Sequence, residues 1–251
     1  MIKVSVITVV FNNEKTIAYS INSVINQHYS NIEHIVIDGN SSDDTLQEIK
    51  KFETSIHTII SEPDQGIYDA INKGIKLASG DVIGILNSDD FFADNFVINR
   101  IVEEFKRDKE LAAIYSNVTF VKRDNVEKIK RTYSSKYFRT WMLRFGFQPA
   151  HPTFYAKREL FDKYGLYRTD LKIAGDFELL TRFLLKKKIK FRYIDDIWVK
   201  MRAGGASTSG MKSVIKINQE IIKALKYNNI YSNLIFVYSK YLFKWWGFIR
   251  K

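Results

Sequence analysis

Ile83-Gly84-Ile85-Leu86-Asn87-Ser88-Asp89-Asp90 is the stretch on which the fold turns. Its apolar part is too short for a helix and reads as the end of a buried strand, Asp81–Leu86, that stops in four polar residues. Two of these are adjacent carboxylates, which repel each other unless solvent or a cation neutralises them. Hard divalent ions such as Mg²⁺ or Mn²⁺ take oxygen ligands, often one or two carboxylates plus substrate phosphates. The plainer reading is an N-cap for a helix over Phe91–Phe105, since Asp favours that position. Three further polar strand ends elsewhere in the chain favour the cation.

Working outward, Lys3–Val10 reads as a buried strand, Glu14–Gln27 as a helix, Glu33–Asp38 as a strand and Asp44–Phe52 as a helix. Ile56–Ser61 follows as a strand and Tyr68–Ala78 as a helix. Short apolar strands alternating with helices imply a parallel sheet covered on both faces. Ligands of such sheets gather at the carboxyl ends of the strands, here Thr8–Asn13, Asp38–Asp44, Glu62–Asp69 and Asn87–Asp90. The second half is less regular. Leu111–Val121 reads as a strand pair, Lys128–Ser135 as a weaker strand, Asp176–Lys187 as a helix and Phe191–Val199 as a strand. Arg202–Gly210 is a Gly/Ser loop, and Met211–Tyr227 is amphipathic at helical spacing.

A chain of 251 residues, 45% hydrophobic, buries a substantial core, and the absence of cysteine excludes disulfides and thiolate metal sites. It also suits a reducing cytoplasm. The start, MIKVSVITVVF, is a strand and lacks the pattern of a secretory signal. The net charge of +11 is unevenly placed: residues 1–100 hold 7 Lys/Arg against 14 Asp/Glu, and residues 101–251 hold 32 against 14. The acidic half argues against nucleic acid and for a cation; the basic, aromatic half suits anionic lipid, diphosphates or nucleic acid.

A second constellation, Asp38-Gly39-Asn40-Ser41-Ser42-Asp43-Asp44-Thr45, leaves a strand, turns on glycine and opens a helix. Turn and cap chemistry explain most of it, but not the aspartate at position 38, where a carboxylate would accept a base ring N–H. The order of Thr8-Val9-Val10-Phe11-Asn12, Ile37-Asp38-Gly39 through Thr45, and Asn87-Ser88-Asp89-Asp90 resembles glycosyltransferase family 2, inverting enzymes of the GT-A fold. Glu62-Pro63-Asp64-Gln65-Gly66-Ile67-Tyr68-Asp69-Ala70-Ile71-Asn72-Lys73-Gly74 resembles a segment of that family's bacterial surface-polysaccharide branch, as in O-antigen and capsule synthesis. The resemblance covers residues 1–210.

The resemblance implies that Thr8, Phe11 and Asn12 line a nucleoside pocket with Asp38 on the base, and that Asp64 and Lys73 lie near the ribose and diphosphate. It makes Asp90 the direct metal ligand and places Asp89 beside the metal, ribose or donor sugar. Ala174-Gly175-Asp176-Phe177-Glu178 resembles the family's Glu-Asp motif with glycine in place of the glutamate. Asp176 then takes the place of the catalytic base, with Glu178 in reserve. His151, before that motif, suggests acceptor contact, and Arg202 a loop over the diphosphate.

The expected architecture is therefore an α/β, GT-A-like fold with a mostly parallel central sheet flanked by helices and a C-terminal helical extension. Residues 1–100 form its nucleotide-binding half and 101–210 its acceptor half. Residues 211–251 form a basic aromatic tail with 8 Lys/Arg against Glu220 alone. Its Leu234–Ile249 segment is too short and too charged to span a bilayer and suits the headgroup level, or else packs on the core. The expected activity moves a hexose or N-acetylhexosamine from a UDP-sugar, with Mg²⁺ or Mn²⁺, to a lipid-linked glycan on the inner face of the plasma membrane. Two rivals remain at this point. A sugar nucleotidyltransferase would carry a Gly-rich loop where Val9-Val10-Phe11-Asn12-Asn13 stands, and a non-catalytic basic adaptor leaves the acidic strand ends unexplained. A P-loop enzyme is excluded by the missing Gly-x-x-x-x-Gly-Lys pattern.

Overall fold

The computed structural model describes residues 1–204 and 211–249, with 211–212 and 242–249 described by backbone alone. β1 (Val4–Val10) is buried along its whole length, as a strand covered on both faces must be. It pairs in parallel with β2 (Ile32–Asp38) on one side and β4 (Val82–Ile85) on the other, and β2 pairs in parallel with β3 (Thr58–Ser61). The crossovers are α1 (Ile17–Ile25), α2 (Thr45–Lys50) and α3 (Ile67–Leu77). Thus β1 to β4 all deliver their carboxyl ends to one edge, where the polar turns lie.

Beyond β4 the sheet turns mixed. Its order is β3-β2-β1-β4-β8-β6-β9-β5, with β7 paired to β6. β8 (Tyr155–Lys157) is antiparallel to both β4 and β6 (Ala113–Val121), while β6 runs parallel to β9 (Phe191–Arg202). The pair expected over Leu111–Val121 is therefore one strand, Ala113–Val121, and its hairpin partner is β7 (Ile129–Tyr133).

The helix expected over Phe91–Phe105 starts later. Phe91–Phe92 forms β5, antiparallel to Val199–Lys200 of β9, and α4 occupies Val97–Arg107. The buried stripe Val97, Ile98, Ile101, Val102 and Phe105 explains α4, but nothing helical follows Asp90 directly. Capping cannot account for the acid pair.

The last helices close the fold. α5 covers Glu159–Tyr164, and α6 (Gly175–Leu180) widens into a π turn at Thr181–Lys186. α7 (Met211–Tyr227) and α8 (Leu234–Ile249) follow. Ile221, Ala224, Leu225 and Val237 are buried in the same core cluster as Tyr68, Phe177 and Leu180. Packing thus carries the tail into the main core. Gly205 to Gly210 of the expected Gly/Ser loop, and the tryptophans at 245 and 246, lie outside the residues described at side-chain level.

Candidate active site

The turn after β1 is the clip that holds three strand ends together. Asn12 adopts a left-handed backbone (φ 48°), with its N–H donating to Ser41 Oγ at 2.8 Å and its Oδ1 accepting from the Ser42 N–H at 2.8 Å. Asn13 donates to Thr45 Oγ1 through its N–H at 2.7 Å and to Ser88 Oγ through Nδ2 at 2.9 Å. Hydrogen bonds therefore tie the loops following β1, β2 and β4 together. Asn13 was not singled out by sequence reasoning, because an asparagine beside a turn has many uses.

The nucleoside residues divide. The exposed ring of Phe11 (62%) and the Asp64 carboxylate converge on Gly39, and Asp64 also accepts the Gly66 N–H at 2.7 Å. An aromatic face beside a carboxylate is suited to stacking a base and binding hydroxyl or ring N–H donors. Lys73 ties down the same loop, donating to the Pro63 carbonyl at 2.7 Å and pairing with Glu62 at 2.8 Å. Two of the expected nucleoside residues are buried in this structure. Thr8 is fully buried, and its hydroxyl pairs with His34 Nε2 at 3.1 Å, not with the cleft; burial pushes that imidazole down to about 3, so it stays neutral. Asp38 is also wholly buried, its carboxylate accepting from the Ser41 N–H at 3.1 Å, the Ser41 hydroxyl, and the Ser61 hydroxyl at 2.6 Å. In this structure it braces the ends of β2 and β3.

The acid pair sits between β4 and β5. Asp90 is 2% exposed, and burial pushes its carboxyl well above the usual range, with neighbouring Asp89 adding to the rise. Asn87 Nδ2, at 3.2 Å, and the Arg202 backbone N–H oppose this only in part. Burial also raises Asp89, against the pull of Arg123 and Arg202. Arg202 thus lies at the end of β9, its guanidinium stacked over Tyr19 and Phe91 at 4.8 and 5.4 Å. A pocket of about 640 Å³ opens here, lined by Asn12, Asn13, Lys15, Tyr19, Arg123 and Arg202. Lys15 and Arg123 are additional basic residues that no sequence motif marked.

Among the described residues no cage of three or more His, Cys, Asp or Glu side chains is present. Two carboxylates whose burial leaves negative charge poorly compensated do fit a hard cation completed by substrate phosphates. The donor set is compatible with Mg²⁺ or Mn²⁺.

Asp176 opens α6 close to two other functional groups. Tyr68 of α3 donates to Asp176 Oδ2 at 3.3 Å and to the Ile173 carbonyl at 2.7 Å, and His151 Nε2 lies 3.7 Å from Asp176 Oδ2. Burial, with the Asp176 charge, pushes the Tyr68 phenol well up, so it keeps its proton and donates. Gln148 in turn contacts His151 Nδ1 at 3.2 Å. The glycine at 175 has a steric cause: a Cβ there would stand 2.6 Å from the Tyr68 ring. Glu178, the expected reserve base, has other partners in this structure. It is 2% exposed, forms an ion pair with Arg182 at 2.9 Å and accepts from Asn228 Nδ2 at 3.0 Å. It holds α6 to α7.

Glu220 of α7 emerges as the support of the segment before Asp176. Its carboxylate accepts the backbone N–H groups of Lys172, Ile173 and Ala174 at 3.0, 2.8 and 2.9 Å, directly before Asp176. The tail's single acid thus pins the segment that carries the candidate base.

A sheet that is parallel up to β4 and mixed beyond it, with an acid pair at the mouth of β4, is the architecture of GT-A glycosyltransferases. The sequence matches Glycosyl transferase family 2 over residues 5–172, and the chain belongs to that family. It is 34% identical over 185 residues to an uncharacterized glycosyltransferase of Mycobacterium tuberculosis, covering 72% of this chain and 69% of that one. It is 27% identical over 227 residues to the Escherichia coli UDP-Glc:alpha-D-GlcNAc-diphosphoundecaprenol beta-1,3-glucosyltransferase WfaP, covering 88% and 86% respectively. In fold it superposes on S. aureus TarS 1-349 in complex with UDP-GlcNAc, at 18% identity and a TM-score of 0.69, covering 89% of this chain and 66% of that one. It spans 39% of the longer TarS chain.

Proposed function

We propose that this glycosyltransferase moves a hexose or N-acetylhexosamine, with inversion, from a UDP-sugar to a lipid-linked glycan in bacterial surface-polysaccharide synthesis. The observation that carries the reading is the pairing of two sites on one sheet edge: Asp89–Asp90 beside a pocket of mixed charge, whose lining sets Lys15, Arg123 and Arg202 among Glu14, Asp43 and Asp124, and Asp176 beside Tyr68 and His151. Phe11 and Asp64 hold the nucleoside; Lys15, Arg123 and Arg202 surround the diphosphate. Asp89 and Asp90 would hold Mg²⁺ or Mn²⁺, which supplies Lewis-acid stabilisation of the leaving diphosphate when bound. Asp176 accepts the acceptor hydroxyl's proton as that oxygen attacks the anomeric carbon, and the bond from that carbon to the diphosphate oxygen breaks. One displacement from the opposite face inverts the centre. Tyr68 and His151 fix the carboxylate's direction, and Glu220 fixes the backbone beneath it.

The lipid-linked acceptor is supported by the kinship with WfaP, whose name specifies such an acceptor, and by the basic second half. Among the described residues no helix is long and apolar enough to cross a membrane. Trp141, Tyr231 and Ile235 are 59%, 71% and 79% exposed, and we read them as contacts for a peripheral stay on the inner face of the plasma membrane.

The deciding experiment incubates the protein with UDP-sugars, Mg²⁺ or Mn²⁺ and a synthetic prenyl-diphosphate-linked GlcNAc. Transfer with a new linkage of inverted configuration is the expected result, and Asp176→Asn lowers kcat by about 10²–10⁴-fold. Absence of transfer from every UDP-sugar overturns the donor assignment.

A further inference from the structure

Arg202 is held in an uncommon way for a cation. It is 7% exposed, yet among the described residues it forms no ion pair, and its Nε–H has no partner. Its one side-chain hydrogen bond runs to the Arg123 carbonyl at 3.3 Å. Two ring faces hold it instead. The guanidinium carbon lies 4.8 Å from the ring centre of Tyr19 and 5.4 Å from that of Phe91, and the two rings stand 6.4 Å apart at 50°. Phe91 is fixed by the pairing of β5 with β9. Tyr19 comes from α1, is 55% exposed and, among the described residues, makes no hydrogen bond through its hydroxyl. Its ring is the part that the structure uses.

A guanidinium gripped by its face keeps its N–H groups pointing outward in its own plane, where they match phosphate oxygens in pairs. A buried N–H without an acceptor is costly, and an anion that supplies the acceptor removes the cost. The pocket at this point offers that anion two more cations, Lys15 and Arg123. Of its acids, Glu14 and Asp43 are engaged with the turn: Glu14 accepts the Asp44 N–H at 3.2 Å and Asp43 the Thr45 N–H at 3.0 Å. The third, Asp124, stands beside Arg123 in the loop between β6 and β7.

We propose that Tyr19 is a positioning residue for the donor: with Phe91 it holds the face of Arg202, so that the free in-plane N–H groups meet the diphosphate. The proposal rests on the donor reading given above and goes further, by naming a residue that acts on the nucleotide through the arginine. No bond is made or broken in this role. Since only the ring is needed, phenylalanine or tryptophan serves at position 19, whereas an aliphatic side chain does not.

The test measures binding of UDP and of uridine, in Mg²⁺, to the full chain and to Tyr19→Leu, Tyr19→Phe and Tyr19→Trp, and repeats Tyr19→Leu in an Arg202→Met background. Tyr19→Leu should weaken UDP about 3–30-fold, the range of a cation–π contact, and leave uridine unchanged, because uridine lacks the diphosphate. Tyr19→Phe and Tyr19→Trp should keep UDP within about twofold of the parent. In Arg202→Met, which itself weakens UDP, adding Tyr19→Leu should change nothing further, since the cycle isolates the pair. Unchanged UDP affinity in Tyr19→Leu, or an equal loss for uridine, overturns the proposal and leaves the donor reading standing. If Tyr19→Leu melts early, Tyr19→Phe and Arg202→Met decide: a loss of UDP affinity in the first, or none in the second, overturns the proposal, and the reverse in both upholds it. A parent that binds no UDP overturns the donor reading itself, and the role of the stack with it.

Discussion

At Asp90 the demands of stability and of chemistry oppose each other. A carboxyl whose pKa is raised on folding keeps its proton over a pH window in which the unfolded chain has lost it, so stability falls as pH rises through that window. In the absence of nucleotide and metal, Asp90→Asn should therefore melt higher than the parent at pH 7, by at least about 2 °C. The gap should close below the ordinary carboxylate range, where both forms are neutral. Thermal melts at the two pH values check this, and a lower melting point for the variant at pH 7 would contradict it. The same variant should lose any thermal shift caused by metal plus UDP. Single residues stood out in the sequence where a charge closed an apolar run or opened a helix, as at Asp89, Asp90 and Asp176. They were illegible inside β1 and β2, because strands buried on both faces carry no parity to show which side chain meets the cleft; hence Thr8 and Asp38. Glu178 was different: Arg182 stands four residues on, the spacing of a helical ion pair, and that signal lies in the sequence.

Among the elements, α7 shows how much periodicity reveals and where it stops. The boundaries Met211–Tyr227 follow from apolar spacing, and the structure reproduces them. What the helix packs against depends on contacts far apart in sequence, such as Glu220 with Lys172 to Ala174, 46 to 48 positions away. Glu220→Ala leaves three amide donors without their acceptor and should destabilise the fold by about 1–3 kcal/mol in denaturant titration. It should also lower kcat more than it weakens UDP binding, because the disturbed segment leads into Asp176. Glu220→Gln, which keeps an acceptor oxygen, should retain most of the activity. Equal effects of the two substitutions on kcat would argue against a positioning role.

The whole molecule behaves as one packed unit, and its polarity of charge maps onto it. Residues 1–100 supply the acid pair, whereas the basic Arg123 and Arg202 that face Asp89 come from beyond residue 100. Removing 211–251 strips Ile221, Leu225 and Val237 out of the main core, and each large-to-small core loss alone costs about 2–5 kcal/mol. The truncated chain should therefore fail to give a cooperative thermal transition, in contrast to a detachable anchor, whose loss would leave the melting point unchanged. Membrane contact is better tested by point changes. Trp141→Ser with Ile235→Ser should reduce sedimentation with anionic vesicles while leaving the melting point within about 2 °C, since both side chains are exposed.

The pairing of β5 with β9 has a consequence for how the protein is born. Phe91–Phe92 wait for Val199–Lys200, so the turn bearing Asp89 and Asp90 has its second border only after some hundred more residues have left the ribosome, roughly 5–20 s of synthesis. Until then the nascent N-terminal segment holds the corner of Phe11 and Asp64, proposed above for the nucleoside, without its completed acid turn. Substrate binding is thus withheld until the chain is nearly whole, and a nascent fragment ending before residue 199 should bind no UDP-sugar, however well its first four strands have paired.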